Sequence, residues 1–154
     1  RPVLIIDEAQ TLDTQALEHL RLLSNINAWD QDLLQVILSG QPELKELLCQ
    51  PRMTQFIQRV TSDFHLGLLS SEDVPHYVGH RLSVAGAERA LFSDQAIQAI
   101  HAASFGTPRL INVICDMALL YGYAAEAPFV TAEIVRQVLR DKREHGIGAA
   151  MAAE

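Results

Sequence analysis

The chain has 154 residues, 49% of them apolar and 20% charged, enough for one ordinary domain or one and a half small ones and too apolar for a disordered tail. Its net charge of −7 argues against nucleic acid or an anionic membrane as a non-specific partner, while leaving room for a local basic patch. The two cysteines, Cys49 and Cys115, lie far apart without a C-x-x-C, so neither a disulfide framework nor a zinc site is indicated, and a reducing cytoplasm is the simpler setting. No apolar run approaches the roughly 18 residues of a membrane span. The start at Arg1-Pro2, without a methionine, reads as a cut in a longer protein.

Val3 to Ile6 are consecutive aliphatic residues, the pattern of a strand buried on both faces of a parallel sheet. "TLDTQALEHLRLLSNI" follows at helical period, with Asp13 as N-cap, Leu12 as staple and Leu17, Leu20 and Leu23 along one stripe. "LLQVILSG" reads as a second apolar strand, ended by Gly40. "QPELKELLCQPRMTQFIQRV" predicts a helix from near Pro42, interrupted around Pro51 and then resumed. In "SDFHLGLL" the alternation of Phe64, Leu66 and Leu68 predicts a third, shorter strand. Strand–helix–strand–helix–strand implies βαβ units in a parallel sheet with right-handed crossovers.

Beyond Leu69 only helical patterns remain. Ser70 and Asp73 form an S-x-x-D capping box for a helix reaching about Val84. Ser93 caps "DQAIQAIHAAS", Thr107-Pro108 opens "RLINVICDMALLYGYAAEA", and Thr131 caps "AEIVRQVLRDKREH". The expected organisation is an α/β core over 1–69, an all-α bundle over 70–145 and a frayed tail over 146–154.

Four features can carry chemistry. Asp7 and Glu8 end the first strand, and ligands of parallel α/β sheets bind at the carboxyl ends of strands. One carboxylate there can hold Mg²⁺, usually through water, while its neighbour orients or deprotonates an attacking water. The preference of acids for turns explains the same pair without chemistry. Ser39 and Gln41 end the second strand at the same sheet edge, where Gln41 can hydrogen-bond a γ-phosphate or a water; a polar turn before Pro42 is the plainer reading. In "SFGTPRLIN", Gly106 suits a C-cap, Thr107 an N-cap and Pro108 the first helical position. Arg109 then falls in a first turn that already favours anions, and its guanidinium can clamp phosphate oxygens, or simply pair with a surface acid. Arg59 sits just before the third strand and Arg52 near the helical break, and either can project into a neighbouring subunit's site, although most surface arginines do nothing of the kind.

These four features in this order resemble the AAA+ ATPases. "VLIIDEAQ" looks like a Walker B motif, "LSGQPEL" like a sensor 1 strand end, "QRV" like an arginine-finger position and "GTPRLIN" like a sensor 2 helix. From Val3 to about Leu139 the chain is similar to the general secretion pathway protein A type and to related pilus and exopolysaccharide biogenesis ATPases. The resemblance implies a partial parallel P-loop NTPase core followed by an all-α lid, with ATP and Mg²⁺ as cofactors. It implies Asp7 as the Mg²⁺ ligand, Glu8 as the catalytic carboxylate and Gln41 as sensor 1, with Ser39 in contention. Arg59 takes the finger position with Arg52 in reserve, and Arg109 the sensor 2 position. The resemblance further implies self-association into a ring and coupling of ATP turnover to envelope or secretion machinery. The setting would be cytoplasmic, with inner-membrane association through segments outside these residues.

The chain departs from the pattern in one respect: no G-x-x-x-x-G-K-[ST] occurs in it, so the loop that cradles phosphates is absent from this sequence. The chain thus looks like the C-terminal part of an ATPase domain that begins at its Walker B strand, and by itself is expected to hydrolyse ATP hardly at all. Two rival readings stay open. One is a DNA-binding ATPase of the transposition or replication-initiator type, which the charge disfavours; the other is a non-catalytic interaction module. His76 and His80, one helical turn apart, are read as solvent-facing for want of a third ligand. Cys49, Cys115, Trp29, Phe56, Phe64, Phe92 and Phe105 are read as packing residues.

Overall fold

The first apolar run forms strand β1 (Val3–Ile6), and the chain then passes through a 3-10 turn (Ala9–Thr11) into helix α1 (Thr14–Leu23). The Asp13 carboxylate accepts the backbone N–H of Ala16 at 2.7 Å, the N-cap bond the sequence predicts. Two short strands, β2 (Asn27–Ala28) and β3 (Gln31–Asp32), pair antiparallel before β4 (Gln35–Leu38). Helix α2 (Pro42–Leu48) follows, then a 3-10 turn at Pro51–Met53 and the single turn of α3 (Thr54–Ile57), so the helix breaks at Pro51 as expected. This computed structural model describes residues 2–23, 27–28, 31–32 and 34–145; Trp29 and the tail 146–154 lie outside them. The chain divides into two compact units, Arg1–His65 and Leu66–Glu154.

In the first unit β1 and β4 pair in parallel, in register from Val3 with Gln35 to Ile6 with Leu38. Parallel neighbours share a face, so Leu4, Ile6, Val36 and Leu38 line the half-buried side. The other side is open: Val3, Ile5 and Ile37 are 48%, 66% and 44% exposed, which corrects the expectation of a strand buried on both faces. Leu17 is fully buried, whereas Leu23 of the same predicted stripe is exposed because α1 ends there.

The predicted third strand does not form. Residues 62–69 carry no strand, and Phe64 and Leu66 are 94% and 92% exposed. Alternation prepares a segment for pairing, but a strand exists only when a neighbour's N–H and C=O meet its own, and none of the described strands meets this one. Phe105 is likewise exposed, and Cys49, at the end of α2, is exposed rather than packed.

The second unit is a bundle of α4 (Asp73–Val84), α5 (Asp94–Ser104), α6 (Pro108–Ala124) and α7 (Ala132–His145). Its first helix starts in the predicted capping box: the Ser70 hydroxyl donates to Asp73 Oδ2 at 2.7 Å, and the Asp73 N–H donates back to Ser70 Oγ at 3.2 Å. That hydroxyl, followed by the Ser70 N–H, holds the Asp73 carboxyl below its usual range. The Ser93 hydroxyl accepts the Ala96 N–H at 3.2 Å and caps α5. Thr107 occupies the N-cap place of α6 by backbone conformation, without a side-chain cap bond. Ile100, Ile111, Val135 and Val138 are fully buried at the meeting of α5, α6 and α7, each worth about 1.5–3 kcal/mol on transfer from water. A parallel bridge between Phe92 and Val130 ties the segments before α5 and α7. Among the described residues no helix is long and apolar enough to cross a membrane.

Candidate functional site

The end of the parallel pair is stitched past the strands themselves. Ser39 N–H donates to the Ile6 carbonyl at 2.8 Å, and Ala9 N–H donates to the Ser39 carbonyl at 2.9 Å. This fixes Asp7-Glu8 and Ser39-Gly40-Gln41 at one carboxyl edge of the sheet, as the register predicts.

At that edge the backbone turns sharply. Glu8 has φ 52° and ψ 36°, a left-handed conformation that costs a non-glycine residue about 1–2 kcal/mol. The strain is held by three bonds. Glu8 N–H donates to Asp7 Oδ1 at 2.9 Å, and the Glu8 carbonyl accepts from both Thr11 N–H (2.9 Å) and the Thr11 hydroxyl (2.8 Å). Buried Ala9 anchors the turn beneath. A strained conformation so fully tied down aims the Glu8 side chain across the strand end.

The carboxylate meets two amides. Gln10 Nε2 donates to Glu8 Oε2 at 2.5 Å, and Gln41 Nε2 approaches the same oxygen at a long 3.4 Å. Gln10 Oε1 accepts the backbone N–H of Gln41 at 3.1 Å. Gly40 makes this possible, because a Cβ there would stand 2.6 Å from Gln10 Oε1. The structure therefore brings together Asp7, Glu8 and Gln41 and adds Gln10, which the sequence reading passed over; its only signal was a polar residue two places after Glu8, in the turn. The Ser39 side chain makes no hydrogen bond among the described residues.

Arg52 is tied by its Nε to Gln50 Oε1 at 2.8 Å, whereas exposed Arg59, just past α3, has no ion pair among the described residues. Arg109 lies exposed in the first turn of α6, in the second unit.

The donor set at the strand end is two adjacent carboxylates, and no group of three or more His, Cys, Asp or Glu suited to a metal occurs among the described residues. That set fits Mg²⁺, which takes one or two protein carboxylates and completes its shell with water and substrate phosphates. It does not fit a structural zinc.

The AAA domain family matches residues 1–48. General secretion pathway protein A of Aeromonas hydrophila is 49% identical over 124 residues, which is 80% of this chain and 23% of that relative. Thermotoga maritima RuvB, a Holliday junction branch migration motor, superposes with a TM-score of 0.69 at 22% identity, over 95% of this chain and 46% of its own. A mutant of the same protein gives a TM-score of 0.72 at 18% identity, over 94% of this chain and 47% of its own.

The first 48 residues match the AAA domain, and the chain is a relative of general secretion pathway protein A.

The RuvB likeness shows the fold, a partial parallel α/β core and an all-α bundle, and the 49% identity shows kinship with general secretion pathway protein A. The chain spans about a quarter of that relative and about half of RuvB.

Proposed function

We propose that this chain supplies the hydrolytic edge of an ATPase site, in a protein that couples ATP turnover to the assembly of secretion or envelope machinery. The observation that carries the reading is the convergence of Asp7, Glu8 and Gln41 at the carboxyl end of two parallel strands. Kinship with general secretion pathway protein A supports the machinery, which the fold alone does not specify.

In this reading Glu8 orients the attacking water and accepts its proton, from a backbone that cannot swing because Asp7 and Thr11 hold both ends of its peptide. Asp7 would hold Mg²⁺ through water. When bound, that ion neutralises the charge of the transferring phosphoryl group. Gln41 is the better sensor 1 residue, because its amide reaches Glu8 whereas Ser39 engages only through its backbone. Arg59 is the better finger, because Arg52 is already occupied by Gln50. Arg109 senses the γ-phosphate from a helix first turn whose free N–H groups favour anions. The finger role requires self-association into a ring. No phosphate-cradling G-x-x-x-x-G-K-[ST] occurs within these 154 residues, so in this reading they alone hydrolyse ATP negligibly.

The test is Glu8→Gln in the full-length protein. ATP turnover is expected to fall by at least about 10²-fold, the scale of general-base loss, with nucleotide binding retained. Unchanged turnover would rule out the catalytic role of Glu8.

A further inference from the structure

Resting on that reading, we infer that Gln10 is a positioning residue which clips the Glu8 carboxylate to the end of β4, so that the base and the sensor residue Gln41 move as one unit. Gln10 touches neither nucleotide nor water in this account; it acts through Glu8.

The chemistry of the side chain carries the argument. Only a primary amide puts a donor and an acceptor side by side at the end of one flexible stem. Gln10 uses both: Nε2 donates to Glu8 Oε2 at 2.5 Å, while Oε1 accepts the Gln41 N–H at 3.1 Å. The amide has one workable orientation here. Flipping it would set oxygen against the carboxylate and nitrogen against an N–H, two repulsions in place of two bonds.

The backbone holds the amide in place from both sides. Gln10 is the middle residue of the 3-10 turn, pinned before it by Ala9 N–H on the Ser39 carbonyl and after it by Thr11 N–H on the Glu8 carbonyl. Opposite, Gly40 leaves only enough room for Gln10 Oε1, since a Cβ would come within 2.6 Å of it. Hydrogen bonds at so exposed an edge add little to stability against competing water. Their consequence is geometric: they set which way a strained, exposed carboxylate points.

Two substitutions in the full-length protein test the assignment. Gln10→Ala removes both arms. Gln10→Glu keeps an oxygen for the Gln41 N–H but replaces the donor with a negative charge against Glu8. If Gln10 aims the base, both lower kcat by about 10²-fold, the scale of a 1 Å misplacement, while KM for ATP stays within about twofold and Tm is unchanged. A merely structural clip predicts that Gln10→Glu turns over like the wild type. That result, with Glu8→Gln inactive, overturns the inference alone. A raised KM at normal kcat also overturns it, by making Gln10 a binding residue. Normal turnover in Glu8→Gln overturns the underlying catalytic reading and this inference with it.

Discussion

Burial alone separates the two cysteines. Inside the bundle of α4 to α7 the Cys115 thiol is pushed up to about 12, first by desolvation and then by the neighbouring Asp116 carboxylate, whereas Cys49 is exposed. Because the thiolate is the nucleophile, an aromatic disulfide reagent near pH 8 is expected to titrate Cys49 quickly and Cys115 only after denaturation. Two fast thiols in the folded protein would contradict the buried placement. Both cysteines occupy apolar helical sequence, so their difference was not legible: α2 is seven residues long and Cys49 falls at its frayed end. The same limit applies to Glu8 and Gln10. The strand-end acids were legible from an aliphatic run stopping at charge. The amide clip was not, because it depends on Gln41, some thirty residues away, and the left-handed turn at Glu8, though held by its neighbours Asp7 and Thr11, has no marker in a non-glycine residue.

Element boundaries followed local chemistry wherever a cap was involved. Asp13, the Ser70–Asp73 pair and Ser93 all make the bonds their spacing predicts, since a capping bond reaches only three residues. At Gly106 a longer contact intervenes. Leu69 N–H donates to the Gly106 carbonyl at 2.9 Å, and a Cβ at Gly106 would lie 2.0 Å from the Leu69 carbonyl oxygen, with φ already at +77°. Gly106→Ala is therefore expected to destabilise the protein by at least about 1–3 kcal/mol, seen as a lower urea midpoint by circular dichroism. Gly79, mid-helix in α4 with nothing within 4 Å of its would-be Cβ, should behave oppositely: Gly79→Ala is expected to gain about 0.5–1 kcal/mol. A shared sign for the two would contradict the packing at Gly106. The strand expected over 62–69 fails at this scale too, since its alternation was real and pairing is not a local property.

At the scale of the molecule, the two units differ in how they are held. Among the described residues of the first, Ala9, Leu17, Leu44 and Met53 are the apolar ones that are fully or nearly buried. The second carries a continuous core around Ile100, Ile111, Val135 and Val138. Native-state hydrogen exchange is expected to be slowest in the middles of α5, α6 and α7 and faster in β1 and β4. Ile100→Ala should remove about 2–5 kcal/mol from the bundle's unfolding free energy. Uniform protection across both units would refute this division. The sequence by itself determined the helices of the bundle, the two parallel strands and the acidic edge where they end, because period, caps and aliphatic runs are local properties of a chain. Tertiary structure alone decided which strand faces are covered, that residues 62–69 form no strand, that Phe64, Phe105 and Cys49 are exposed, and that Gln10 joins Glu8 to Gln41. Each of these depends on what a distant segment places opposite, and a one-dimensional pattern does not contain that information.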